Sequence, residues 1–251
     1  PGAFMTYCCA VMLNAGLVFA SDSRTHAGVD NVGCFSKLHV LEIPNDRVIT
    51  LLTAGNLSVS QGAIEHLHRC VRENHAQNWT NVQSLSDVAM LLGDAMRAVV
   101  ARDGPSLKQS GIDASASFLL GGQIGTERPR LFLVYSEGNA IEATPETPFL
   151  QIGEIKYGKP ILDRVIRSEI SLLEATKCVM VSFDSTMRSN VSVGLPIDLL
   201  ILPRNRLKAD LRYRVDDQDA YFRELSERWA RGLRRVFSEL PPPHWYPDGQ
   251  Q

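Results

Sequence analysis

The 251 residues are 44% hydrophobic, enough to bury one sizeable core without demanding two domains. With 26 basic against 28 acidic residues, the chain carries no surplus of positive charge to draw it to nucleic acid or to an anionic membrane. Five cysteines (Cys8, Cys9, Cys34, Cys70 and Cys178), an odd number without a C-x-x-C pair, read as reduced thiols in a cytoplasmic protein; no signal-peptide pattern and no bilayer-length apolar run is present.

Pro1 to Phe4 read as an expression scar and Met5 as an initiator, so residues 1–5 are set aside and Thr6 becomes the first residue. An apolar strand is expected over Thr6 to Asn14, turning at Asn14-Ala15-Gly16 into Leu17 to Ser21; the short glycine-bearing turn makes the pair antiparallel. Both strands are apolar on both faces, and the same character returns in Val48 to Ala54, Phe118 to Gly122 and Leu131 to Tyr135. Hairpin-built sheets covered on both sides need packing on each, which two stacked sheets with helices outside supply. The expected fold is therefore of the α+β class, a four-layer α/β/β/α sandwich of two antiparallel sheets.

Pro44-Asn45-Asp46 is a turn, and the strand from Arg47 stops at Gly55. Helical spacing follows over Ser60 to Glu73 and over Ser86 to Arg102, the second opened by a Ser84/Asp87 start box and ended by Asp103-Gly104-Pro105. His66 and His68 stand two apart and cannot share a helix face, so no metal is assigned. Gly121 to Gly125 lacks the Gly-Lys-Ser/Thr of a phosphate loop and reads as a strand ending in a turn, and no cofactor is called. A hairpin is expected over Leu131 to Tyr135 and Ala140 to Ala143, a helix over Ile170 to Phe183, and strands at Ile197 to Leu202 and Arg212 to Val215. Asp217 to Asp219 cap a last helix with an apolar stripe of Phe222, Leu225, Trp229, Leu233 and Val236, its arginine-rich face solvated or used between subunits. One domain thus spans 6–240, and 241–251 is a tail.

The chemistry concentrates at the start. An N-terminal threonine supplies a hydroxyl nucleophile and, in its α-amine, a base whose ordinary pKa of about 7.7–8.0 suits proton transfer near neutrality, whereas lysine at about 10.4 stays charged. Lys37 beside Thr6 would favour the alkoxide, and Asp22 would hold the ammonium in place. Singly, Thr6 reads as a strand residue, Asp22 as a turn residue and Lys37 as an edge charge. Together they form an ordered set across two hairpins.

Thr6 opening an apolar strand, Asp22 in ASDSR and Lys37 fifteen residues further on resemble the proteasome β-subunit family of N-terminal nucleophile hydrolases. The strings SDSRTHAGVDN, FLLGG, IGEIKYGKPILDR and RSNVSVGLPIDLLIL are most similar to its bacterial Anbu branch, a relative of the HslV peptidase, and the likeness runs through nearly all of the chain from Met5. The resemblance implies the same sandwich fold and a threonine-type peptidase cutting amide bonds in peptide or protein substrates. It further implies self-assembly into a ring, lock-washer or helical homo-oligomer, with an ATP-driven unfoldase as a candidate partner. By position it makes Gly55 the oxyanion-hole donor and Thr25, His26 and Thr53 substrate-binding residues.

Two departures stand out. Ile152 in Gln151-Ile152-Gly153 stands where active members carry a serine that positions the amine. In RSNVSVG, Ser192 keeps the family serine while Ser189 replaces an aspartate, with Asp184 nearby as a substitute acid. Three readings remain open at this level: a threonine peptidase, an amidohydrolase selective for a peptide-like conjugate, and a catalytically silent scaffold.

Overall fold

The apolar opening folds into the expected hairpin. β1 (Tyr7–Leu13) and β2 (Gly16–Asp22) are buried along their whole length. The computed structural model describes residues 6–26 and 32–245, the side chains at 25, 26 and 32 lying outside the description. Residues 1–5, set aside above, fall outside it too. By contacts the chain separates into Pro1–Asp217 and Gln218–Gln251.

In the first unit β1 and β2 are central to an antiparallel sheet with β10 (Phe149–Gly153), β11 (Ile197–Pro203) and β12 (Leu211–Val215), in the order β10-β1-β2-β11-β12. A second antiparallel sheet runs β5 (Leu38–Ile43), β6 (Arg47–Gly55), β7 (Ala116–Ile124), β8 (Arg130–Val134) and β9 (Ala140–Glu142) in sequence order, and a short ribbon pairs β3 (Arg24–His26) with β4 (Val32–Cys34). The period-two alternation of strands divides each sheet's side chains between two cores. Between the sheets, Cys8, Ala10, Met12, Leu17 and Phe19 meet Val48, Leu52, Ala54, Leu119 and Leu131. On the far side of the second sheet Ile49, Leu51, Phe118 and Leu120 pack under α1 (Leu57–Arg72) and α2 (Leu85–Gln109). On the far side of the first lies α4 (Leu172–Ser189), whose Phe183 ring sits 4.5 Å from that of Tyr7. The four-layer α/β/β/α sandwich is thus the observed fold, each large apolar side chain it buries contributing about 1.5–3 kcal/mol.

The sheets approach closely at Gly121, where a Cβ would stand 2.7 Å from Cζ of Phe19, so the ring rests on bare backbone of the facing strand. Arg47 is buried at the start of β6 and donates to the carbonyl oxygens of Trp79 (3.3 Å) and Val82 (2.9 Å), fastening the α1–α2 connection to the sheet. All five cysteines are free thiols. No helix among the described residues is long and apolar enough to cross a membrane.

Several boundaries differ from expectation. α1 starts three residues early because the Asn56 side chain accepts from the N–H groups of Ser58 (3.0 Å) and Val59 (3.2 Å). Asn56→Ala is expected to cost about 1 kcal/mol, read as a lower urea midpoint. Pro105 does not end α2, which continues to Gln109: proline forfeits one helical hydrogen bond, and Leu107, packed against the core beyond it, keeps the last turn in place. α4 begins at a Ser171/Glu174 capping box and runs on to Ser189. The short α3 (Lys159–Val165), with a proline in its first turn, was not expected.

In the second unit α5 (Ala220–Glu239) is capped by Asp219, whose Oδ1 accepts from the N–H of Phe222 at 2.6 Å. Arg228 and Arg231 each pair with a glutamate one turn back, Glu224 and Glu227, so part of the arginine face is neutralised. Leu233, Val236, Phe237 and Leu240 of the apolar stripe and its end are more than half exposed.

Candidate active site

The β1–β2 hairpin delivers two of the predicted polar groups to one place, and the chain entering β5 adds the third. Asp22 closes β2, and its Oδ1 accepts from the main-chain N–H of Tyr7 at 3.0 Å and from Lys37 Nζ at 2.8 Å. That N–H belongs to the peptide joining Thr6 to Tyr7, so the carboxylate grips the chain immediately beyond Thr6. Lys37 Nζ also donates to the carbonyl oxygen of Arg24 at 2.7 Å, and the N–H of Thr53 donates to the Lys37 carbonyl at 3.1 Å, so both ends of the lysine are held. Thr6, Asp22 and Lys37 are 8%, 0% and 4% exposed.

An ion pair so far from water survives only because each charge answers the other. Burial pushes the Asp22 carboxyl up to about 6, against the downward pull of Lys37 and of the Tyr7 N–H. Its second oxygen, Oδ2, is buried with no hydrogen-bond partner among the described residues.

Gly55 ends β6 with φ +96°, and a Cβ there would come within 2.5 Å of the Ser115 carbonyl oxygen, so backbone conformation and close approach both demand glycine. Asn56 then caps α1, which places Gly55 just ahead of a helix N-terminus. Thr53 is buried two residues earlier, its carbonyl accepting from Cys8 Sγ at 3.5 Å. Thr25 and His26 are on β3, paired with Gly33 and Val32, and their side chains lie outside the described residues.

The region of the two departures looks different in three dimensions. Ile152 pairs with Cys8 and is buried in the inter-sheet core, so its side chain is a packing residue. The residue that meets Thr6 is Glu154, whose N–H donates to the Thr6 carbonyl at 2.7 Å. Ser189 is exposed at the last turn of α4, and Asp184, one of α4's buried residues, pairs with Arg188 at 3.4 Å. Ser192 donates through Oγ to Asn190 Oδ1 at 2.5 Å, and Asn190 Nδ2 donates in turn to Glu154 Oε2 at 3.0 Å. Arg24 Nη1 donates to the Val191 carbonyl at 3.1 Å, and its guanidinium lies where a side chain at Gly194 would stand. Glu154, Asn190 and Arg24 escape sequence reasoning, since a glutamate after a strand-end glycine, an asparagine closing a helix and an arginine in SDSR carry no chemical signal of their own. Among the described residues no group of three or more His, Cys, Asp or Glu is placed to hold a metal ion.

No protein-family model matches the chain, and comparison with curated proteins gives no match. Solved structures do match. Anbu (ancestral beta-subunit) from Yersinia bercovieri is 43% identical over 96% of this chain and 100% of that one, with a TM-score of 0.90. A structure described as the helical assembly of the Anbu complex from Pseudomonas aeruginosa is 46% identical, again over 96% of this chain and 100% of that one, with a TM-score of 0.91. A Gly-1 mutant of Anbu from Hyphomicrobium sp. strain MC1 is 45% identical over 95% and 99%, with a TM-score of 0.88. Identity at this level over nearly the full length of both chains, with the same backbone path, identifies this chain as a member of the Anbu family, the ancestral β-subunit branch of the proteasome β-subunit-like fold.

Proposed function

We propose that the protein is a proteasome-like threonine hydrolase of amide bonds in peptide substrates, working in the cytoplasm inside a homo-oligomer. The observation that carries the reading is the buried Asp22–Lys37 pair, fastened through the Tyr7 N–H to the residue beside Thr6. With Thr6 as first residue, its α-amine takes the hydroxyl proton while Oγ1 attacks the substrate carbonyl carbon. The Lys37 ammonium favours the alkoxide, and the N–H of Gly55 receives the charge developing on the carbonyl oxygen. The proton passes to the leaving amine, an ester to Thr6 remains, and water hydrolyses it with the α-amine again as base. Thr25, His26 and Thr53 line the substrate path in this reading, and Ser192 serves the amine. Self-assembly is supported by the relative described as a helical complex and by the exposed apolar residues at the end of α5. An ATP-driven unfoldase would feed folded substrates to such an assembly.

The test uses the chain beginning at Thr6, its N-terminus verified by intact mass, treated with a peptide epoxyketone. That reagent consumes the hydroxyl and the α-amine of one residue, so it reports an N-terminal threonine nucleophile specifically. The expected result is one inhibitor mass added per chain and none added to Thr6→Ala. A correctly exposed Thr6 that takes up no inhibitor overturns the reading in favour of a silent scaffold.

A further inference from the structure

Around Thr6 a chain of hydrogen bonds closes into a circuit. Asp22 holds the Tyr7 N–H and Lys37; Lys37 holds the Arg24 carbonyl; the Arg24 guanidinium holds the Val191 carbonyl. Beside Val191, Asn190 donates to the Glu154 carboxylate, and the Glu154 N–H returns to the Thr6 carbonyl. The turn at Gly153, with φ +83° and a would-be Cβ only 2.0 Å from the Thr6 oxygen, brings Glu154 back against the chain start. Asn190, the residue closing α4, accepts both the N–H (2.9 Å) and the hydroxyl (2.5 Å) of Ser192. A serine hydroxyl that donates in this way turns its lone pairs elsewhere, as acceptors.

We infer that Glu154 and Asn190 are positioning residues for the Thr6 α-amine, doing together what the positions of Ile152 and Ser189 do not. The inference rests on the reading of Thr6 as an N-terminal nucleophile. Asn190 orients the Ser192 hydroxyl so that its oxygen accepts from the amine, which leaves the nitrogen lone pair for the Thr6 hydroxyl. Glu154 fixes the Thr6 main chain through its N–H and Asn190 through its carboxylate, and the negative charge so held, on a residue in contact with Thr6, favours the protonated form of the amine. Arg24 holds the same segment at Val191 and Gly194 and couples it, through its own carbonyl, to Lys37.

The two residues act differently, which makes the inference testable. Glu154→Gln retains an oxygen to accept from Asn190 but removes the charge, so the α-amine should titrate about half a pH unit lower. Asn190→Ala leaves the charge and removes the acceptor that orients the Ser192 hydroxyl, so epoxyketone capture should slow about tenfold across the pH range, the loss of one oriented hydrogen bond. Glu154→Ala should lose both, and Glu154→Gln should restore the capture rate at high pH where Glu154→Ala does not.

The amine is titrated directly, by the pH dependence of trace labelling of Thr6 with dinitrofluorobenzene read by mass spectrometry, on chains beginning at Thr6 whose urea midpoints show them folded. Epoxyketone capture is followed in parallel. An amine that titrates identically in the unaltered chain and in Glu154→Gln overturns the inference, whether or not the chain proves to be a hydrolase. A capture rate unchanged in Asn190→Ala does the same. Failure of the unaltered chain to take up epoxyketone overturns the function proposed above, while the labelling titration still decides the placement of Glu154.

Discussion

Lys37→Met is expected to lower the unfolding free energy at pH 7 by about 3–5 kcal/mol, because methionine fills the space but leaves the fully buried Asp22 carboxylate without its counter-charge. The loss should depend on pH with a defined sign. Folded Asp22 binds its proton near pH 6 even beside Lys37, above the ordinary aspartate value of about 3.9, and without the ammonium it binds that proton more tightly still. A carboxyl raised in the folded state contributes stability that is fully present below the unfolded value and is lost as pH rises through the folded one. The deficit of Lys37→Met should therefore shrink on acidification toward pH 4 and widen toward pH 8. Adding Asp22→Asn should recover most of it at neutral pH, since the amide has no charge to bury. Urea midpoints of the three chains against pH provide the measurement; a deficit that stays flat, or that the second substitution deepens, would show that the two groups are not electrostatically coupled.

The second large effect is expected at Gly153. Alanine there meets the Thr6 carbonyl oxygen at 2.0 Å in a left-handed conformation, so strain and overlap act together, at roughly 2–5 kcal/mol. Gly125→Ala separates the two terms: its φ is +49° but nothing lies within 4 Å of the added carbon, so only the conformational cost of about 1–2 kcal/mol remains. Thr6 must move to admit a Cβ at 153, so Gly153→Ala should also slow epoxyketone capture, whereas Gly125→Ala should leave it unchanged. Equal midpoints for the two variants would mean that the 152–154 turn gives way without disturbing the chain start.

The sandwich is legible in the sequence because β1, β2, β6 and β7 are apolar on both faces, and a hairpin sheet of that kind has few places to hide. The proximity of Asp22 to Lys37 is legible because both lie in one local run of strands and turns, where pairing is decided over a few tens of residues. Glu154 and Asn190 are not legible, because Glu154 meets Thr6 and Asn190 meets Glu154 only through the ends of β10 and α4, more than a hundred residues from the chain start, and the register that brings them there is set by packing. Ile152 shows the same limit: two residues along the string from the buried isoleucine comes the glutamate whose main-chain N–H meets the Thr6 carbonyl. Pro105 fails as a stop signal for a related reason, since the local cost of proline is outweighed by Leu107 packing on a core that the local string does not show. Ser189 has the right spacing for an acid's place but turns outward, one residue short of the asparagine that donates to Glu154.

The bare backbone of Gly121 beneath the Phe19 ring has a consequence for assembly of the fold itself. A pairing error of one residue in β2 would swing the ring out of the space between the layers, and the same error in β7 would raise a leucine or a second backbone step against it. Each hairpin system thereby proofreads the alignment of the other, so neither layer can settle into a stable misaligned form while its mate is correct.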